Sequence, residues 1–296
     1  MEALTTPAWI ARRDAHRRRV DAWVAPHLER RQRGAAHPVE DFLFTYYSQR
    51  PAALRRWHPG YGELLTGREA EEYAGLKGYV RVTRGSLAGL TVSDDHVASQ
   101  QVLLATLLRL LRATAARPPQ LGCFGMHEWA MVYRLEQDDV RHATWPLRLG
   151  GTGTDEVVEG HRIACSHFDA FRFFTDEARP FNTLRPGRDD RADFEQPGCL
   201  HAGMDLYKHA YRLTPMVPSE LVTDCFALAR DIRVLDMRAS PYDLSGLGYS
   251  PVRVETPAGK QEYVAAQREF AKRGAPLRSR LVAECERLLD VAGPRC

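Results

Sequence analysis

Residues 219–240, SELVTDCFALARDIRVLDMRAS, place Leu221, Cys225, Leu228, Ile232 and Leu235 at i, i+4, i+7, i+11 and i+14. That spacing puts five apolar side chains on one stripe of an α-helix. Ser219 suits the N-cap, and Pro241 cannot continue the helix. Downstream, Thr256-Pro257 predicts the start of a second helix reaching about Lys272, and Leu277, Leu281, Cys285 and Leu288 mark a third. Between the first two, Leu244-Ser-Gly-Leu-Gly248 reads as a turn, because the strand-like Val252-Arg-Val254 follows it.

Upstream, the stretch opening at Cys199 also carries a helical stripe, through Leu200, Met204, Tyr207 and Tyr211. Ser93 or Asp94 caps a leucine-rich helix ending near Ala116, before Arg117-Pro-Pro. A further helix is expected from Glu128 to Leu135. Tyr79 to Val92, with alternating Val80 and Val82 and a Gly85-Ser86 turn, predicts a hairpin. Thr154 to Cys165 is read as two strands joined at Glu159-Gly160. Leu149-Gly-Gly-Thr-Gly-Thr154 lacks the lysine and glycine spacing of a phosphate loop and is read as a turn.

At the start, Thr6-Pro7 and the recurrence of Val20, Trp23, Val24 and Leu28 predict an amphipathic helix with a break or kink near Pro26. From Arg12 to Arg33 it holds eight arginines against three acids, either a solvated face or a track for phosphates. Residues 1–36 are therefore expected to form an arginine-rich helical arm, and residues 37–296 a single, mostly helical catalytic domain. The fold class is mainly α, one compact helical domain with a small β element. The alternative is an α+β, two-lobed arrangement.

The 44% hydrophobic and 27% charged residues are the balance of a globular protein rather than a disordered one. A formal charge of +3 conceals 41 basic and 38 acidic residues, the former mostly arginine. Six cysteines without a CxxC pair fit a reducing compartment. The opening residues have no apolar signal region, and the most apolar run, Val102 to Leu111, is short and broken by Arg109. A cytoplasmic protein is expected, neither secreted nor inserted in a membrane.

Chemistry concentrates between Cys123 and His209. Three patches set an imidazole beside a carboxylate: Gly125-Met-His127-Glu128-Trp129, Cys165-Ser-His167-Phe-Asp169 and Cys199-Leu-His201-Ala-Gly-Met-Asp205. On a helix, His201, Asp205 and His209 share a polar face beside the apolar stripe. As a strand, the second patch would turn Cys165, His167 and Asp169 to one side, whereas a helix would separate His167 from Asp169. Helical neighbours His127 and Glu128 point about 100° apart, so only one is expected to face a site. Each patch is also compatible with a plain structural contact between histidine and carboxylate. Near the N-terminal arm, Tyr46, Tyr47, Arg55, Arg56 and Trp57 interleave aromatics with arginines, which suits either base stacking or ordinary core packing.

The segments HPVEDFLFTYYSQRPAALRRWHPG (from His37), GMHEWAMVYR (from Gly125), HFDAFRFFT (from His167), EQPGCLHAGMDLYKHAYRL (from Glu195) and LDMRASPYDLSGLGYSPVRVETPAGKQEYV (from Leu235) resemble an actinobacterial family labelled 3-methyladenine DNA glycosylase. The resemblance implies DNA repair: binding of double-stranded DNA, extrusion of an alkylated base, and hydrolysis of its N-glycosidic bond without a cofactor. Under that reading Glu128, Asp169 and Asp205 are candidates for the carboxylate that stabilises the sugar cation, oriented by His167 or His201. Tyr46, Tyr47, Trp57 and Trp129 would supply the base platform or wedge, and Arg55 and Arg56 the phosphate grip.

Two other classes fit the same residues. His127, His167, Asp169, His201 and Asp205 offer enough donors for an iron or zinc centre performing hydrolysis or oxygen chemistry on a small molecule. Alternatively, the arginine-rich helix would serve a DNA-binding protein without catalysis.

Overall fold

In the computed structural model, which describes residues 2–47, 49–85 and 87–292, the 219–240 segment forms a helix over Ser219–Arg238. Leu221, Cys225, Leu228, Ile232 and Leu235 are all buried along it. The helices in chain order are α1 (Thr6–Gln32), α2 (Phe42–Tyr46), α3 (Pro51–Arg55), α4 (Asp94–Ser99), α5 (Gln101–Ala115), α6 (Met126–Ala130), α7 (Gly150–Glu159), α8 (Phe168–Phe171), α9 (Arg191–Phe194), α10 (Leu200–Arg212), α11 (Ser219–Arg238) and α12 (Pro257–Ala292). The strands are β1 (Glu2–Leu4), β2 (Glu63–Thr66), β3 (Tyr79–Arg84) and β4 (Leu87–Val92). The fold is mainly α with one small sheet.

The chain's contacts divide it into two compact units. Unit 1 comprises Met1–Arg109, Tyr207–Phe226 and Leu277–Cys296, and unit 2 comprises Leu110–Leu206 and Ala227–Pro276. The arginine-rich helix α1 lies in unit 1, where Trp9, Val20 and Val24 are buried. Trp9 stacks on Trp57 at 6.4 Å and meets Tyr73 edge-on, and these rings pack with Leu65 and Leu90 of the sheet.

The strand order is β1-β2-β4-β3. The hairpin expected over Tyr79 to Val92 is present, with Tyr79 opposite Val92 and Arg84 opposite Leu87; Ser86 of its turn lies outside the described residues. In β4, Gly89 pairs with Thr66 of β2, and a Cβ there would sit 2.2 Å from the Leu65 carbonyl oxygen. Only a residue without a side chain allows that approach. Gly89→Ala should therefore destabilise the protein by about 1–3 kcal/mol through overpacking, read in urea unfolding. A variant as stable as the parent would contradict the tight β2–β4 pairing.

Several elements differ from the sequence expectation. Residues 149–154 and 154–165 are not a turn and two strands: Gly150–Glu159 is helical and stops at Gly160. Burial of Thr154, Val157 and Val158 on one side outweighs the poor helix propensity of the glycines. Of the break or kink expected near Pro26, the break does not occur, since α1 runs through it, and Pro276 likewise lies inside α12, which replaces two expected helices with one. A proline removes one backbone donor but leaves φ helical, so packing on both sides carries the helix past it. The leucine-rich helix instead divides into α4 and α5 at Gln100, with Ser93 capping α4 by accepting from the His96 amide. The helix expected from Glu128 to Leu135 ends at Ala130.

Among the described residues no helix is long and apolar enough to cross a membrane.

Candidate active site

All three histidine patches fall within unit 2. The first is shaped by two consecutive residues of positive φ, Phe124 at 50° and Gly125 at 72°. Left-handed backbone at a non-glycine residue is uncommon and marks a turn held by its surroundings. The turn folds Cys123 back onto α6, so that its Sγ lies 3.7 Å from His127 Nδ1. Trp129 anchors the helix by donating from its indole to the Ala239 carbonyl at 2.9 Å. His127 and Glu128 are both buried.

Both also reach the same turn of α11, contrary to the expectation that only one would face a site. His127 Nε2 is 2.9 Å from Asp236 Oδ1, while Arg233 Nη1 donates to Glu128 Oε1 at 3.0 Å and to Asp236 Oδ2 at 2.7 Å. Arg233 and Asp236 stand one helical turn apart, which spans the angle between the two α6 side chains.

The third patch lies on α10, but the face carrying His201, Asp205 and His209 is buried rather than solvated. A close approach of α10 and α11 is set by Gly203, where a Cβ would meet Ile232 Cδ1 at 2.8 Å. The His201 ring lies 4.6 Å from that of His127 and 5.4 Å from that of His167. His167 precedes α8 in extended backbone, with Nε2 3.4 Å from Glu195 Oε1 and 3.5 Å from Asp205 Oδ2. Arg191 ties these carboxylates together, from Nε to Glu195 at 2.5 Å and from Nη2 to Asp205 at 2.7 Å.

Thus His127, His167 and His201 form one line of imidazoles, with Asp236 and Arg233 at one end and Asp205, Glu195 and Arg191 at the other. Asp169 sits differently: because Phe168–Phe171 is a helical turn, its carboxylate lies 3.4 Å from Arg172 Nε, one turn on. A cavity with room for about one water-sized body lies against Cys123, His127, Cys165, Cys199, His201 and Tyr263.

The electrostatics separate the histidines into different roles. Burial lowers the His201 pKa well below its ordinary value, and the neighbouring His127 and His167 push the same way, so its imidazole stays neutral. Burial opposes the charge on His127 too, but Asp236 and Cys123 outweigh it and raise its pKa. Asp236 is held ionised against burial by His127 and Arg233. The Cys123 thiol is lowered by hydrogen bonding to Cys165 and by His127, while Cys165 is raised.

Asp236, Arg233, Glu195, Arg191 and Cys123 were not among the site residues read from the sequence. The available signal was Arg233 and Asp236, opposite charges at i and i+3 on a helix that is otherwise apolar on its inner side. One donor atom each from His127, His201 and Asp236 lies within 4.8 Å of the others, so a metal-capable cluster forms there rather than among the full expected set of His127, His167, Asp169, His201 and Asp205.

The remaining candidates belong elsewhere. Trp129 is wholly buried with its indole donor used, and so is Trp57, whose Nε1 donates to Glu220 at 3.1 Å in unit 1. Neither ring is free to stack a base, which corrects the platform expected of them. Tyr46 stacks on Phe42 at 4.9 Å, and Tyr47 packs edge-on to Tyr207 in unit 1. Arg55 is exposed and chelates Asp21 through two bonds of 2.6 and 3.0 Å, and Arg56 lines a surface cleft with Arg17 and Glu72. On α1, Arg12, Arg13, Arg17, Arg19 and Arg30 each pair with an acid of unit 1, which draws them away from a continuous phosphate track.

Comparison of the chain with family models, with curated proteins and with solved structures found no match.

Proposed function

We propose that unit 2 is the catalytic unit of a hydrolase that opens the N-glycosidic bond of an alkylated base, such as 3-methyladenine, in DNA. One observation carries this reading: His127 and His201 line one cavity, and ring contacts and ion pairs join them to His167, Asp205, Glu195 and Asp236 behind it. The segments that supply them, from Gly125, His167, Glu195 and Leu235, are segments in which the glycosylase resemblance is densest.

The chemistry asks little of the protein. A base alkylated at N3 already carries positive charge and leaves readily, so the needs are a carboxylate beside the sugar cation and a base for water. Asp205, 2.7 Å from Arg191 Nη2 and 3.5 Å from His167 Nε2, suits the first role. His201, kept neutral by burial and touching a cavity of water-like size, suits the second by taking the proton of the attacking water. The extruded base itself must be held outside that cavity.

Incubation with methylated duplex DNA should release free alkylated base. His201→Ala and Asp205→Asn should each slow that release at least tenfold while leaving the circular dichroism unchanged. Salt-sensitive DNA binding without base release would favour the non-catalytic reading instead. Full activity in both variants would overturn the assignment.

A further inference from the structure

The geometry points to a divalent transition-metal site formed by His127, His201 and Asp236, a ligand set that includes the His201 of the proposed glycosylase chemistry but whose binding test is independent of which bond the protein cleaves. The three donor atoms lie within 4.8 Å of one another, and all three residues are buried. Two imidazoles and one carboxylate, with a position left open, is the ligand set of catalytic zinc and of non-haem iron(II).

Three features argue for an ion rather than a closed salt bridge. The first is His201. It is 6% exposed, and among the described residues neither of its ring nitrogens has a hydrogen bond; its contacts are the rings of His127 and His167 and the cavity wall. With no protein partner on either nitrogen, a lone pair remains available to an ion. The second is spacing: with metal–ligand bonds of about 2.1 Å, adjacent donors stand about 3.0–3.4 Å apart, and the donors of three residues from three different helices already lie within 4.8 Å of one another.

The third is the outer layer. Ligating imidazoles commonly carry a partner on the other ring nitrogen, and ligating carboxylates one on the other oxygen. His127 Nδ1 has Cys123 Sγ at 3.7 Å, and Asp236 Oδ2 accepts from Arg233 at 2.7 Å. Both ligands are therefore oriented from behind, with Nε2 and Oδ1 turned to the same point. The adjoining cavity, lined by both His127 and His201, has room for a water at the open position.

The full chain, stripped with a chelator and dialysed, tests this directly. Titration with Zn²⁺ should show one tight equivalent by calorimetry and by elemental analysis after gel filtration. Co²⁺ should give weak visible bands without the intense near-ultraviolet charge transfer of a thiolate ligand. His201→Ala should weaken Zn²⁺ binding at least 100-fold. The variant should keep the parent's circular dichroism in the stripped form, so that lost binding is read in a folded protein. Cys123→Ser should bind Zn²⁺ within a few-fold of the parent. Absence of a stoichiometric site overturns the proposal, as does unchanged binding by His201→Ala, or loss of binding in Cys123→Ser. None of these readouts depends on base release, so failure of the glycosylase assay leaves them intact.

Discussion

Arg233→Met should lower the unfolding free energy by about 3–5 kcal/mol, the range for removing one partner of a buried ion pair. The guanidinium is 1% exposed and is shared between Glu128 at 3.0 Å and Asp236 at 2.7 Å. Without it two carboxylates face each other in the interior of unit 2 with only His127 to balance them. Methionine fills a similar volume, so the loss reports charge rather than a cavity. The expected fall in melting temperature is on the order of 10 °C for a chain of this size. Adding Glu128→Gln to the variant should recover part of the loss, because one of the stranded charges is then neutral. Urea unfolding followed by circular dichroism measures both. If Arg233→Met costs less than about 1 kcal/mol, the network does not hold α6 to α11 as described.

That network also shows where sequence reading reaches and where it stops. The α11 stripe from Leu221 to Leu235 was legible because helical period is a local property of the chain. So was the hairpin of β3 and β4, for the same reason with period two. The β1–β2 pairing was not, because three and four residues are too few to show alternation, and Glu2 and Glu63 meet only through the fold. Glycine and proline misled in the opposite direction: Gly150, Gly151, Pro26 and Pro276 all sit in helices whose buried faces outweigh local propensity.

For the site, adjacency of imidazole and carboxylate drew attention to His127, His167, His201 and Asp205. Their partners could not be found that way. His127 and Asp236 are 109 residues apart, Glu128 and Arg233 are 105 apart, and a charge beside an apolar stripe ordinarily faces water. Asp169 was open between a strand, which would turn it to the side of His167, and a helix, which separates the two, and the chain turns helically after His167. The chemistry of the centre thus depends on pairs that only tertiary packing creates.

In unit 1 the half-buried His58 governs acid stability. His58 should cost the protein about 2–3 kcal/mol between pH 7 and pH 4, and His58→Gln should remove most of that slope. Burial pushes its pKa down to about 3, and Arg56 and His16 add to the effect. Tyr79 approaches from the sheet, its hydroxyl 3.0 Å from Nδ1, and the Tyr73 ring stands 6.3 Å away. None of these neighbours offers a negative charge that would stabilise an imidazolium. The unfolded chain takes up the proton near the ordinary value of 6.5 and the folded chain only near 3. Between those two values the unfolded state binds more protons, so stability is full above about pH 6.5 and falls as the pH drops through the window. Chemical unfolding at pH 7, 6, 5 and 4 isolates the effect as a difference in slope between parent and variant, whatever the variant's stability at pH 7. Parallel curves for the two proteins would mean that His58 is protonated in the folded state and that unit 1 leaves room for its charge.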